Sequence, residues 1–285
     1  MRWLVTGAQG MLGRDLMTAL ALAGHESVGI DLPELDITSP GDVAAFFAED
    51  DRFDVVANCA AWTAVDDAED HEGAASRVNE AGPRLLAAEA HLHGARIVQV
   101  STDYVFDGTA TSPYAEDAPA SPASAYGRTK WAGEEAVRRE HPDGHLVVRT
   151  AWLYGAHGNC FPKTMVRLAR ERGALSVVDD QVGQPTWTKD VAATVIALVE
   201  ADAPAGTYHA TSSGQTSWFG FAQAIVAAAG LDPAIVTPTD SASFVRPAAR
   251  PAYSVLGHDA SVAVGVPEIG DWAERWEAAA ADVLA

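Results

Sequence analysis

The sequence is poor in three things, and each shortage excludes a class of function. It has two cysteines in 285 residues. Cys59 and Cys160 sit in apolar surroundings without C-x-x-C spacing, which removes disulfide frameworks and zinc knuckles and leaves ordinary buried thiols. Basic residues are also scarce: 19 Lys and Arg against 39 Asp and Glu, a formal net charge of -20. So acidic a chain repels polyanions and has no basic stripe to follow a nucleic acid, although a few local cations and helix N-termini still suit a small anionic ligand. Finally, no apolar run reaches the length of a membrane span. The N-terminal "MRWLVTGAQG" enters a strand and a glycine turn with no apolar leader. Zinc and serine hydrolysis lack a starting motif, since neither H-E-x-x-H nor G-x-S-x-G occurs. His91 and His93 lie at a helix end, where the C-terminal dipole is reason enough for them. With 48% hydrophobic and 20% charged residues, a soluble cytoplasmic enzyme or binding protein is expected.

Short β-branched or apolar runs alternate with Ala-rich helical patterns through the first half. Strands are expected at 3–6, 26–30, 54–58, 95–101 and 146–150, with helices at 11–23, 40–49, 73–93 and 125–140. That alternation is the signature of βαβ units on a parallel sheet. The fold class is therefore α/β, a Rossmann-type doubly wound parallel sheet, with a smaller C-terminal substrate-binding domain. Residues 1–153 form the dinucleotide-binding part and 154–285 mainly the substrate part, with segments near 180–212 candidates to return to the main sheet. Residues 107–124, rich in Pro, Ser, Thr and Ala, read as a long loop of the kind that serves function.

"VTGAQGMLG" places Gly7, Gly10 and Gly13 between a strand and a helix. The first allows a tight turn, the second lets backbone approach a pyrophosphate, and the third lets helix and sheet pack closely. Gln9, Met11 and Leu12 of the same turn, where the helix N-terminus offers phosphate donors, are candidate cofactor contacts. Asp31 ends the second strand 18 residues after Gly13, near the distance at which a carboxylate meets a ribose diol. It would repel a 2'-phosphate, and no Lys or Arg follows before Asp51. This favours NADH, with Arg14 beside the loop as the residue that would admit NADPH.

Thr102 and Asp103 emerge at the carboxyl end of the fourth strand, where open α/β sheets bind ligands. The next regular element carries Tyr126 and Lys130 on one helix face. Spacing alone does not make them a site, since i,i+4 neighbours share a face in any helix. Beside a dinucleotide and the Thr102 hydroxyl, however, Tyr126 suits proton donation to a carbonyl oxygen, and a nearby ammonium lowers a phenol's pKa.

These motifs together resemble the extended short-chain dehydrogenase/reductases over residues 1 to about 155. Finer stretches, "LDITSP", "NCAAWTAVDDAE", "STDYVFDG", "YGRTKWAGE", "RTAWLYG", "DQVGQPT" and "RPAYSVL", are similar to the members of that family that reduce a dTDP-4-keto-6-deoxyhexose. The resemblance implies a catalytic set of Thr102, Tyr126 and Lys130 and a cofactor, NADPH or NADH, with its nicotinamide ribose on Lys130. It implies Asp36 and Ile37 near the adenine and Ala60 and Ala61 flanking the cofactor. Thr63, Val65, Asp103, Tyr104 and Trp152 would line the sugar-nucleotide side, with Arg250 on the diphosphate. The expected product is dTDP-L-rhamnose. Cys160 departs from the pattern, which has Asn before the residue matching Phe161. Acidic positions through which some members bridge a dimer with magnesium have no secure counterpart, so no metal is assigned and a homodimer stays open. A 4,6-dehydratase needs Thr-Asp-Glu where this chain has Thr102-Asp103-Tyr104; a 4-epimerase is a weaker rival. A non-catalytic dinucleotide-binding subunit would have little use for Thr102, Tyr126 and Lys130 together.

Overall fold

The computed structural model describes residues 1–50 and 52–285. Five strands of the N-terminal half, β1 (Arg2–Thr6), β2 (Glu26–Ile30), β3 (Val55–Asn58), β4 (Arg96–Thr102) and β5 (His145–Thr150), align in parallel. β3 and β5 are buried at every position, which is why their apolar stretches, Val55 to Ala57 and Leu146 to Val148, run on without alternation. Helices α1 (Met11–Leu22), α2 (Pro40–Glu49), α3 (Gly82–Leu92) and α4 (Ala125–Glu140) connect them. Ser39 and Ser124 start α2 and α4 by accepting hydrogen bonds from Asp42 N and Gly127 N, so two of the orphan donors at those helix starts are satisfied locally.

The C-terminal half adds α5 (Phe161–Arg172), β6 (Leu175–Val178), α6 (Thr188–Glu200), β7 (Gly206–His209), α7 (Trp218–Ala228), β8 (Val236–Thr239) and α8 (Trp272–Val283). Two of these belong with the first half. β7 pairs in parallel with β5, from Gly206 on Leu146 to His209 on Arg149, and α6 packs on α1 through Val191, Val195 and Leu198. The six-stranded order is therefore β7-β5-β4-β3-β1-β2.

Three apolar clusters hold this together. One, with Leu12, Leu16 and Val195, fills the face under α1 and α6; another, with Phe47, Leu86 and Val137, fills the opposite face. The third lies outside the sheet, where Tyr154, Phe221 and Trp276 join α5, α7 and α8 to the parallel pair β6–β8. The segment 107–124 is not a free loop. Tyr114 stacks on Phe106 at 4.1 Å between ring centroids and donates its backbone N–H to Val255 O, and Ala260 N donates to Glu116 Oε1.

Candidate active site

β1 and β3 are neighbours in the sheet, and the chain leaves β1 for β2 on one side but leaves β3 for β4 on the other. The gap between those two paths is a topological switch point, where the carboxyl ends of the strands leave a crevice. A cleft of about 820 Å³ occupies it. At one end Gly7, with φ +68°, lets two loops meet: a Cβ there would lie 2.5 Å from Ala60 N. A Cβ on Gly13 would lie 2.2 Å from Gly7 O, so α1 reaches the turn only as glycine. The first turn of α1 has neither a side-chain cap nor an acidic residue, and Gly10, Met11, Leu12 and Gly13 line the cleft. Uncapped N–H groups at the positive end of a helix are what a dinucleotide's diphosphate requires, and these residues fit it.

Asp31, Asp36, Ile37, Ala60 and Ala61 line the same end. Asp31 also braces the turn, accepting from Gln9 N at 3.1 Å and Leu32 N at 2.9 Å. Arg14 Nε donates to Gln9 O at 2.9 Å. Gln9 therefore serves through its backbone as a bracket between Asp31 and Arg14, and it is not among the residues that line the cleft.

β4 delivers Thr102 to the middle of the cleft and continues into a short turn, Asp103–Val105. Gly127 allows α4 to dock on that turn, since a Cβ there would sit 2.2 Å from Tyr104 O. Docking brings Tyr126 beside Thr102, with the Tyr126 and Tyr104 rings edge to face at 5.5 Å. Burial pushes the Tyr126 phenol up to about 12; a hydrogen bond with Thr102 opposes this and the Asp103 charge adds to it. Lys130 donates to Val100 O at 2.6 Å, and burial pulls its ammonium down to about 8 against the favourable Glu134 charge. Asp103 is buried too, and burial raises its carboxyl to about 6, opposed by the Ser254 and Thr102 hydroxyls.

The far end is aromatic. Trp152 has φ 47°, an uncommon conformation for a residue with a side chain. Its ring stacks on Trp218 at 3.6 Å and 9°, and Phe161 leans on Trp218 at 4.5 Å. Gly183 leaves room for it, because a Cβ there would be 2.6 Å from the indole. Thr63, Val65, Tyr104 and Trp152 all line the cleft. Arg250 does not: it pairs with Asp66 at 3.0 Å and lies 6.0 Å from the centroid of the Tyr104 ring. Cys160 is buried against the third core cluster, and the amide at the cleft wall is that of Asn159.

Several supports have no local motif. Asn79, in a π turn at Arg77–Ala81, accepts from Trp62 N at 2.8 Å and donates to Thr129 Oγ1 at 3.1 Å. It ties the loop after β3 to α4. Glu134, one turn beyond Lys130, takes a bidentate pair from buried Arg149 at 2.9 and 2.8 Å and a hydrogen bond from Ser101 at 2.5 Å. Its i+4 spacing from Lys130 is the one signal that pointed to it. Trp218 and Asn159 carried none. Among the described residues no group of three or more His, Cys, Asp or Glu side chains could hold a metal, and no helix is long and apolar enough to cross a membrane.

A glycine cradle at a switch point with a Thr-Tyr-Lys set beyond it defines a Rossmann-type reductase of the short-chain dehydrogenase kind. More narrowly, the chain belongs to the RmlD substrate binding domain family, whose model matches residues 1–285. It is 48% identical over 275 residues to a dTDP-4-dehydrorhamnose reductase of Streptomyces griseus, covering 95% of this chain and 90% of the relative. It is also 48% identical over 271 residues to a dTDP-4-keto-6-deoxy-D-glucose reductase of Streptomyces niveus, covering 95% and 93%. A crystal structure of dTDP-4-dehydrorhamnose reductase from Bacillus anthracis in complex with NADP superposes with a TM-score of 0.93 at 37% identity, covering 98% of each chain.

Proposed function

We propose that this protein reduces the C4 ketone of dTDP-4-dehydro-β-L-rhamnose to give dTDP-L-rhamnose, using NADPH or NADH, in the cytoplasm. The observation that carries the reading is the placement of Thr102, Tyr126 and Lys130 midway along a cleft with a diphosphate cradle at one end and an aromatic wall at the other. A bound reduced nicotinamide supplies the hydride. Tyr126 gives a proton to the C4 oxygen as charge develops on it, and Thr102 hydrogen-bonds the same oxygen. Lys130 supplies positive charge beneath the site and holds the nicotinamide ribose. Asp31 faces the adenosine ribose and, being anionic, biases use towards NADH. Val65, Thr63 and Trp152 bound the sugar nucleotide, and Arg250 reaches its diphosphate by releasing Asp66.

A second reading differs only in the sugar. The Streptomyces niveus relative bears the name of a reductase of dTDP-4-keto-6-deoxy-D-glucose, so the configuration at C3 and C5 is the open point. Offering both keto-sugars to the purified protein with NADH and NADPH, and following loss of reduced nicotinamide, tests the reading. We expect turnover of the L-rhamno substrate and a higher kcat/KM with NADH. No oxidation with either sugar would overturn it, and a strong NADPH preference would overturn the role given to Asp31.

A further inference from the structure

Two arginines converge on one carboxylate at the rim of the cleft. Asp66 lies on the loop after β3 and follows Val65, which lines the cleft. Its Oδ1 pairs with Arg250 Nη2 at 3.0 Å and accepts from Ala248 N at 3.2 Å, while its Oδ2 faces Arg246 Nη1 at 3.7 Å. The first contact is a close ion pair, whereas the last is too long for a hydrogen bond. Arg250 also donates to Ala248 O at 2.9 Å, and its guanidinium lies 6.0 Å from the centroid of the Tyr104 ring at the cleft wall. Arg246 is held more loosely. Half of its side chain is exposed, and it rests 4.6 Å from the ring centroid of Phe244, which is itself exposed. In a chain with 19 basic residues against 39 acidic ones, two cations on one carboxylate are more than its neutralisation requires.

We propose that Arg246 is the stand-in for Arg250: when the diphosphate of the sugar nucleotide draws Arg250 away, Arg246 closes on Asp66 and keeps it paired. This rests on the placement of Arg250 on that diphosphate proposed above. The exchange needs little movement. Ala248 N keeps its hold on Oδ1, so the segment between the two arginines stays anchored while Arg246 closes its 3.7 Å gap to hydrogen-bond distance. Without Arg246, the departing Arg250 would leave a bare carboxylate beside an incoming diphosphate, and like charges brought together oppose binding. Arg246 therefore acts through Asp66. It is a positioning residue that lets Arg250 go, with no contact of its own to the phosphates.

The test measures the Kd of dTDP by calorimetry, with no turnover, for wild type, Arg250→Gln, Arg246→Gln, Arg246→Lys, Asp66→Asn and the Arg246→Gln, Asp66→Asn double variant. Cofactor Kd is the check on folding. Arg250→Gln should raise the dTDP Kd by about tenfold or more. Arg246→Gln should raise it about threefold to fivefold, the range open to a half-exposed ion pair, and Arg246→Lys, which keeps the charge, should stay within about twofold of wild type. Asp66→Asn should bind dTDP at least as tightly as wild type. Adding Arg246→Gln to it should change nothing further, because Arg246 then has no charge to neutralise. Wild-type affinity in Arg246→Gln, or an Arg246→Lys as weak as Arg246→Gln, would overturn the exchange. So would a loss of the same size in the Asp66→Asn background, which would put Arg246 on the phosphates directly. Weaker binding in Asp66→Asn would overturn it too, by showing that Asp66 orders the segment rather than holding Arg250 back. Should Asp66→Asn fail to bind cofactor, Arg246→Lys decides alone. Wild-type affinity in Arg250→Gln would remove the diphosphate role of Arg250 and the exchange with it, and a wild type that does not bind dTDP would count against the proposed function itself.

Discussion

The two ends of the cleft are built on opposite principles. The cofactor end is made of backbone: Gly7, Gly10, Gly13, Ala60 and Ala61 have almost no side chain, and what they offer is close approach beside the first turn of α1, which has no side-chain cap. The far end is made of large side chains that reach one another across the fold, Trp152 on Trp218 and Phe161 against both the cleft and the third core cluster. A dinucleotide has the same diphosphate in every enzyme that uses it, so a rigid backbone cradle serves. A sugar nucleotide must be told from its relatives, which takes shaped surface and therefore side chains.

Three substitutions separate the two ends and the chemistry between them. Tyr126→Phe has the largest effect. It should lower kcat by about 100-fold or more while leaving cofactor affinity unchanged, because the phenol oxygen matters only when the proton moves. Stopped-flow turnover alongside cofactor titration checks this, and full activity would remove Tyr126 from the mechanism. Gly13→Ala breaks the backbone end. Its Cβ has no room against Gly7 O, so the cradle must open, and cofactor Kd should rise by about tenfold or more, a loss of roughly 1.4 kcal/mol. A variant that binds cofactor normally would show that the turn yields more easily than its geometry implies. Trp218→Ala acts on the other end. The stacked pair contributes about 0.5–1.5 kcal/mol beyond burial, so KM for the sugar nucleotide should rise roughly threefold to tenfold with cofactor Kd unmoved. A matched change in both constants would erase the distinction between the ends.

The same contrast explains what could be read from the sequence. The cofactor end is local: a strand, a glycine turn and a helix follow one another, and the period of each element announces it. α2 and α4 begin and end at the residues their patterns indicate. The far end is assembled from segments distant in sequence, so Trp218 looked like any aromatic residue at the start of a helix. β8 carries no clear strand pattern because Pro238 lies within it, and among the described residues it pairs only with the short β6. The π turn around Asn79 is invisible because its residues suit an ordinary helix. Arg250 was placed through resemblance, and its pairing with Asp66 depends on a residue far from it in the chain.

The joint between the two halves supplies the smallest effect. His209 ends β7, and its Nδ1 donates to Gly257 O at 2.8 Å, pinning the segment that follows Arg250 to the edge of the sheet. Nε2 is buried with no partner. Burial, aided by the Arg149 charge, pulls the imidazole down to about 3, whereas an unfolded histidine titrates near 6.5. The folded state therefore refuses a proton that the unfolded state accepts. The stability this group contributes is complete above about pH 6.5 and is lost as pH falls from there towards 3. Between pH 6.5 and pH 5 the loss from His209 is about 1.6 kcal/mol, or about 3 °C in Tm for a chain of this length. Asn keeps a donor for Gly257 but does not titrate, so His209→Asn should flatten the fall in Tm over that interval by about that amount. His141, His145 and His258 are also depressed by burial and leave a residual slope. Melting curves for the two proteins at pH 7, 6 and 5 decide it: parallel losses would mean that the joint does not carry the acid sensitivity, and a Tm difference that shifts in favour of His209→Asn as pH falls would place it at His209.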